Sequence, residues 1–251
     1  MSWVTVRKWW ARIGIALWLL FIAWGLIAFQ TWGVDPAVLK TSGNVIVQMT
    51  ESDIRFLPRN PRSAGLLFFP GALVDPEAYA PFLRSIAEAG YPVFLIKLPL
   101  RGFATEAAQA EAEAWAGKIL SEEGRWIVGG HSKGGRFASH VASAIPAAVD
   151  HLLLIGTAHP RELDLSEQAF GVTKIVATRD GLASPDRLRA SAHNLPDATR
   201  WVVIEGGNHS QFGHYGFQFG DRFAKISRAD QQAQVLRAVL ADLAELTPPR
   251  W

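Results

Sequence analysis

The sequence predicts an α/β protein with a doubly wound, mostly parallel sheet, preceded by one N-terminal transmembrane helix. The chain has 251 residues, 49% of them hydrophobic, which is enough for one large domain with a true core. After residue 40, short apolar runs alternate with longer helix-forming segments, as in βα units. The short runs are apolar at successive positions, which is typical of parallel strands buried on both faces.

The transmembrane helix is predicted by an apolar run over residues 13–29 that contains no charged side chain. As a helix this run spans roughly 26 Å. With its aromatic flanks, residues 9–32, it spans about 36 Å and can cross a hydrocarbon core of about 30 Å. The flanking tryptophans are placed as interfacial anchors in a lipid bilayer: Trp9, Trp10 and Trp32.

The basic side chains Arg7, Lys8 and Arg12 precede the apolar run. The positive-inside rule therefore predicts a single-pass protein of the cell membrane, with a cytoplasmic N-terminus and an extracytoplasmic catalytic domain. A cleaved signal peptide and a buried helix of a soluble protein are the alternatives. The exit sequence AFQTWGVDP has no small-residue cleavage site, and the run is apolar on every face. Residues 1–40 are thus predicted as anchor and linker, and 41–251 as the globular domain.

The predicted elements of the domain follow one another in βα order. A short hairpin opens it, and its last helix is followed by a polar tail. Strands are predicted at 45–49, 54–57, 65–70, 91–98, 125–128, 149–155, 174–177 and 201–204, and helices at 76–89, 105–120, 133–144, 185–193 and 228–246.

Charge and composition exclude several classes of function. Residues 1–40 hold four basic side chains and one acidic side chain, so the domain is close to neutral although the whole chain has a net charge of +2. This balance predicts no nucleic-acid partner. The absence of cysteine excludes disulfides, thiolate metal sites and cysteine nucleophiles.

A G-x-S-x-G motif lies at 130–134, between an apolar strand and a helix. At such a strand-to-helix turn the motif is a nucleophile elbow, which raises the hydroxyl of Ser132 above the sheet at a helix N-terminus. The glycines two residues before and after the serine leave room for neighbouring backbone. An ordinary glycine-rich βα turn is the alternative interpretation.

A nucleophilic serine needs a base, and His209 follows a predicted strand in the chain order expected of such a base. Asp180, at the end of the segment KIVATRD, is the predicted carboxylate partner of that histidine. Glu205 is the more serious rival for this role and Asp150 the weaker one. The other histidines lie inside the elbow, a helix, a strand or connections: His131, His140, His151, His159, His193 and His214.

Two backbone N–H groups are needed to stabilise a tetrahedral intermediate. One is predicted at Lys133, directly after the nucleophile. The other is predicted in the loop after the strand GLLFFP, at Ala72 as first choice and at Leu73 as second. The Lys133 side chain is either a solvated lysine or a cation near an anionic group of the substrate.

The chain resembles the α/β-hydrolase superfamily, and in particular a membrane-anchored bacterial subgroup with the fold-5 type of domain, related to dienelactone hydrolases and small carboxylesterases. The resemblance covers residues from about 45 to 246. It implies a sheet of the α/β-hydrolase type and a Ser132–His209–Asp180 triad. Lys133 departs from the family, in which a small or apolar residue is commoner at this position. The segments that carry the resemblance are FFPGALVDPEAY, GGHSKGG, ATRDGLASPD and IEGGNHSQFGHYGFQFGD.

The residues around the predicted triad determine whether a cap covers the site and what lines it. Only residues 157–173 separate two predicted strands, which is too short for a large helical cap. Leu73, Phe212 and Tyr215 are predicted to contact the substrate. The aromatic loop after His209 either lines an acyl pocket or packs against the domain.

The sequence therefore predicts a serine hydrolase that cleaves carboxylic ester or thioester bonds of a small-molecule acyl substrate, without a cofactor or a metal. The alternative is a membrane-anchored binding or scaffold protein that has the fold but no turnover. A metalloenzyme is a distant third, because His209 and His214 are badly spaced for two ligands on one helical face.

Overall fold

The computed structural model describes residues 3–102 and 106–247. The predicted helix start at residue 105 and the outer ends of both predicted domains lie outside the described residues. Within the described ranges the strands are β1 (Val45–Met49), β2 (Asp53–Pro58), β3 (Ala64–Phe69), β4 (Val93–Ile96), β5 (Arg125–His131), β6 (His151–Ile155), β7 (Gly171–Ala177) and β8 (Arg200–Ile204).

These strands form one sheet in the order β1-β2-β4-β3-β5-β6-β7-β8. The pairs β1–β2 and β2–β4 are antiparallel, and the remaining neighbours are parallel. The predicted mostly parallel sheet is therefore confirmed. Since parallel strands end at the same edge, the loops after β3, β5, β7 and β8 are brought together at one side of the sheet.

Helices cover both faces of the sheet, as predicted for a doubly wound fold. They are α1 (Trp3–Ala28), α2 (Ala80–Glu88), α3 (Glu106–Leu120), α4 (Lys133–Ala144), α5 (Pro185–Ala190) and α6 (Arg228–Glu245). The apolar faces of α2 and α6 pack on one side of the sheet, and those of α3 and α4 on the other. Residues 76–79, predicted as the first turn of a helix, form a 3-10 turn that precedes α2.

The connection between β6 and β7 contains neither an α-helix nor a strand over residues 156–170. The prediction that no large cap covers the site is thus confirmed for a segment that the structure describes in full.

The first helix is long and apolar enough to cross a membrane. Its candidate span, Thr5–Ala28, has 24 residues and a mean hydropathy of 2.0, and only 6% of its most apolar window is buried in the protein. Its large apolar side chains, such as Leu17, Trp18 and Leu20, are exposed. By length and composition this helix is a candidate membrane span.

The segment after this helix is packed onto the domain, although it was predicted as a linker. The carbonyl of Ala28 accepts a hydrogen bond from the N–H of Gly216 (2.7 Å), and the carbonyl of Phe29 accepts one from Asp75 (2.8 Å). Further along, the Arg84 guanidinium in α2 donates hydrogen bonds to backbone carbonyls of Val38, Lys40 and Ser42. Residues on both sides of position 40 contact the domain. The predicted domain boundary at that position therefore stays a prediction.

Candidate active site

Ser132 occupies the turn between β5 and α4 with φ 53° and ψ −119°. This strained backbone conformation is the one expected of a nucleophile elbow. A Cβ on Gly134 would lie 2.1 Å from the carbonyl oxygen of Phe69, and a Cβ on Gly130 would lie 2.3 Å from the carbonyl of Gly134. Both motif glycines are therefore required by close backbone contacts, and the turn is more than an ordinary βα connection.

Asp180 and His209 form a buried pair beside this turn. His209 Nδ1 lies 2.8 Å from Asp180 Oδ2, and both residues are almost completely buried. The other carboxylate oxygen, Oδ1, accepts hydrogen bonds from the N–H groups of Leu182 (2.8 Å) and Ala183 (2.6 Å). Since a carboxylate accepts from Nδ1–H, this contact leaves His209 Nε2 without a proton and available as a base.

Ser132 and His209 line the same open pocket of about 330 Å³, together with Ala72 and Lys133. Among the described residues neither Ser132 Oγ nor His209 Nε2 has a hydrogen-bond partner. The serine–histidine hydrogen bond is thus not formed in this conformation. Catalytic hydrogen bonds often tighten only when substrate binds.

The two predicted oxyanion donors border the same pocket. The backbone N–H groups of Ala72 and Lys133 have no acceptor within the described part of the chain. The N–H of Leu73, by contrast, donates to the carbonyl of Arg101 at 2.7 Å. Of the two choices in this loop, the structure therefore leaves Ala72 available and excludes Leu73.

The rivals of Asp180 have other environments. Glu205 is exposed to solvent. Asp150 lies at the opposite edge of the sheet, where it pairs with Arg125 (2.7 Å) and accepts from the N–H of Trp126 (2.7 Å). Neither carboxylate contacts the imidazole of His209.

Two of the three residues predicted to contact substrate need correction. Phe212 and Tyr215 are buried and do not line the pocket of Ser132. The Phe212 ring packs against that of His131, with centroids 5.3 Å apart, and the Tyr215 hydroxyl donates to the carbonyl of His209 at 3.3 Å. Both side chains belong to the loop between β8 and α6 that carries His209 (residues 205–227, the base loop), and they hold it against the domain interior. Leu73 lines a separate groove.

Asp221 is a residue of this site that sequence reasoning missed. Its carboxylate accepts hydrogen bonds from the backbone N–H groups of Gly181, His209, Ser210 and Arg222, and from the Ser210 hydroxyl. It thereby connects the loop that carries Asp180 to the loop that carries His209. The only sequence signal was its position at the end of the segment GFQFGD.

A buried tyrosine–histidine pair supports the loop after β3 that carries Ala72 (residues 70–75, the oxyanion loop). Sequence reasoning also missed this pair. The Tyr79 hydroxyl accepts from the N–H of Gly71 (3.0 Å) and donates to His131 Nδ1 (2.7 Å). The His131 ring lies 4.5 Å from that of His209 between centroids. Burial, followed by repulsion from His209, lowers the pKa of His131 well below its ordinary value. His131 is therefore neutral, and no second positive charge opposes a proton on His209.

The mouth of the pocket is basic. Lys133 and Arg161 line it, and neither forms an ion pair with another described residue. His159, also in the lining, is kept neutral because burial lowers its pKa to about 4. Among the described residues no group of three or more His, Asp or Glu side chains could hold a metal ion.

A sequence profile described as the Alpha/beta hydrolase family matches residues 65–233, the part of the chain that contains every residue of this site. The chain belongs to the alpha/beta hydrolase family. The resemblance seen in the sequence is thereby confirmed. No functionally curated protein matches the sequence significantly.

Solved structures with the same fold include several hydrolases. A predicted CIB-like hydrolase from Thermoplasma acidophilum is 14% identical with a TM-score of 0.61, covering 80% of this chain and 100% of its own. A serine hydrolase without a lid from Xanthomonas campestris is 12% identical with a TM-score of 0.60, covering 84% and 99%. The dienelactone hydrolase from Anabaena variabilis is 16% identical with a TM-score of 0.59, covering 79% and 99%.

At these identities the likeness concerns the fold. Together with the family match, it supports a hydrolase of this fold.

Proposed function

We propose that this protein is a serine hydrolase that cleaves carboxylic ester or thioester bonds through a Ser132–His209–Asp180 triad. The observation that carries the proposal is the buried 2.8 Å contact between Asp180 and His209. It fixes the imidazole with its second nitrogen unpaired, in the pocket that Ser132 also lines.

In the first half of the reaction, Ser132 Oγ attacks the carbonyl carbon while His209 Nε2 takes the hydroxyl proton. The negative charge that develops on the carbonyl oxygen is stabilised by the N–H groups of Ala72 and Lys133. The N-terminus of α4, where Lys133 lies, adds its dipole to the same stabilisation. When the tetrahedral intermediate collapses, His209 gives its proton to the leaving alcohol or thiol, and an acyl-enzyme remains.

In the second half, water attacks the acyl carbon and gives a proton to His209 Nε2. Collapse of this intermediate releases the carboxylic acid and returns the proton to Ser132 Oγ. Asp180 keeps the imidazole in one tautomer and stabilises its positive charge in both halves.

A fluorophosphonate probe tests this assignment, because it reacts covalently only with an activated serine. We expect labelling of the wild type and none of Ser132→Ala, with labelling of His209→Ala reduced by at least about a hundredfold. Ser121→Ala, which alters an exposed serine at the end of α3, is the control and should label normally. Wild-type-like labelling of Ser132→Ala would refute the nucleophile. A wild type that reacts with neither the probe nor any ester would favour a binding or scaffold protein.

We further propose that α1 anchors the enzyme in the cell membrane as a single pass, with the N-terminus in the cytoplasm and the catalytic domain outside. The length and hydropathy of the helix support the span, and the basic residues Arg7, Lys8 and Arg12, which precede its apolar run over residues 13–29, support the orientation.

A further inference from the structure

A groove of about 510 Å³ lies between the outer end of α1 and the catalytic domain. One wall is the helix itself, over residues 21–29, and the other is formed by Leu73 and Phe219. Its lining is apolar except for Gln30, Arg101 and Gln218. This volume is within the range of ligand sites in proteins, and a lining made mostly of apolar side chains suits a hydrocarbon chain.

The groove reaches the part of α1 that would lie within the bilayer. Phe21 precedes Ala28 by seven residues, or about 10 Å along the helix axis. The Phe219 ring, from the domain, meets the Phe21 ring edge-on at 5.9 Å and the Trp24 ring at 6.4 Å between centroids. Phe219 is nevertheless 72% exposed. With the proposed span in a bilayer, the domain would extend along the helix to hydrocarbon depth, and the groove would open where lipid chains are present.

The groove also adjoins the catalytic pocket. Leu73 lines the groove, while its neighbour Ala72 lines the pocket and is the proposed oxyanion donor. Both active-site loops are bonded to the end of α1: Asp75, in the oxyanion loop, donates to the carbonyl of Phe29, and Gly216, in the base loop, donates to that of Ala28. The site is therefore held at a fixed distance from the membrane segment.

We propose that this groove binds the long acyl chain of a bilayer lipid whose ester carbonyl lies at Ser132. The inference rests on the proposed serine hydrolase and names its substrate class, long-chain acyl esters taken from the membrane in which the enzyme is anchored. Arg101 donates to Gln30 and accepts from the N–H of Leu73, so this polar part of the lining, beside Ala72, is where the chain would leave the hydrocarbon and its ester would enter the catalytic pocket.

Gly25 provides the test. It lines the groove, and a Cβ added there meets no atom within 4 Å, so Gly25→Phe fills the groove without disturbing the backbone. Gly14 lies in the same helix, has equally open surroundings and does not line the groove. Gly14→Phe is therefore the matched control. The full chain is reconstituted in phosphatidylcholine vesicles, and kcat/KM is measured for p-nitrophenyl palmitate and p-nitrophenyl butyrate.

The expected result is a fall of about tenfold or more in the palmitate-to-butyrate ratio for Gly25→Phe, because each displaced methylene costs about fourfold in binding. Gly14→Phe should retain the wild-type ratio. Fluorophosphonate labelling of each variant shows that the triad is intact. Palmitate hydrolysis should also be faster when enzyme and ester share the same vesicles than when they are supplied in separate ones.

An unchanged ratio in Gly25→Phe, or an equal fall in Gly14→Phe, overturns the groove assignment. Equal palmitate rates from shared and separate vesicles overturn the bilayer as the source. Failure of the proposed hydrolase itself has a different signature, which is a wild type that hydrolyses neither ester.

Discussion

At the scale of single residues, the carboxylate of Asp221 determines how the acid and the base are placed. It accepts the N–H of Gly181, next to Asp180, and the N–H groups of His209 and Ser210. The loop that supplies this carboxylate approaches so closely that a Cβ on Gly181 would lie 2.1 Å from the carbonyl oxygen of Gly220. Asp221 touches no reacting atom, so it is a positioning residue.

Asp221→Asn should lower kcat by about ten- to a hundredfold with a small change in KM, because supports around catalytic groups contribute about this much. Both oxygens of the Asp221 carboxylate accept hydrogen bonds, but only one end of an asparagine amide can accept. At least one backbone N–H would therefore lose its acceptor, and a buried unpaired donor costs about 1–3 kcal/mol. Steady-state kinetics with p-nitrophenyl butyrate measures the effect. Asp186→Asn, in the exposed first turn of α5, removes the same charge and should retain the wild-type kcat. A normal kcat in Asp221→Asn would contradict the positioning role.

Sequence reasoning proposed Ser132, Asp180 and His209 because each follows a strand directly, and strand ends meet at one edge of a parallel sheet. Asp221 and Tyr79 have no such local signal. Their contacts join positions 40 and 52 residues apart in the chain, and only the folded loops bring these positions together. The aromatic residues Phe212 and Tyr215 were misassigned for the same reason, since their density in the sequence does not tell whether they face a ligand or the core.

At the scale of elements, strand β7 contains one buried lysine within its otherwise mostly apolar sequence. Lys174 is completely buried in this strand. Its ammonium group donates to the carbonyl of His159 at 3.0 Å and lies 5.4 Å from the ring centroid of Trp201. Burial, followed by repulsion from Arg161, lowers the pKa of Lys174 from 10.5 to about 7.

The stability of the protein should therefore depend on pH through Lys174. Between pH 7 and about 10.5 the unfolded lysine binds a proton that the folded one has lost, so the free energy of unfolding rises with pH across this window. Below pH 7 both states are charged and the full cost of burying the charge is present. Lys174→Met should remove this dependence and raise the free energy of unfolding by about 1 kcal/mol or more at pH 6.

Thermal unfolding of the detergent-solubilised protein at pH 6, 8 and 10 measures this difference. The increase in Tm on Lys174→Met should be largest at pH 6 and smallest at pH 10. Lys118→Met, which alters an exposed lysine of α3, is the control and should show no such trend. A Tm increase of the same size at every pH would mean that the lysine is not desolvated in the folded protein.

At the scale of the whole molecule, the apolar helix α1 and the α/β-hydrolase domain are packed against each other. Hydropathy identified the helix and the strand pattern identified the domain, each from contiguous residues. Their contact could not be predicted in this way, because it pairs Phe21 and Ala28 with Phe219 and Gly216. For the proposed membrane anchor the consequence is functional, since a packed junction would keep the open pocket of Ser132 next to the bilayer, whereas a flexible linker would let the domain move away from it.

The orientation of this unit follows from charge, and it yields the last prediction. Arg7, Lys8 and Arg12 precede the apolar run over residues 13–29, while the domain beyond it is close to neutral, so we expect the N-terminus in the cytoplasm and the domain on the other side of the membrane. Protease added to intact spheroplasts should therefore degrade the domain, while a cytoplasmic marker protein survives until lysis. Full protection of the domain before lysis would reverse the orientation. The proposed acyl groove would then face lipids of the inner leaflet, because its opening lies along the C-terminal half of α1, and the helix–domain contacts would be unaffected by the reversal.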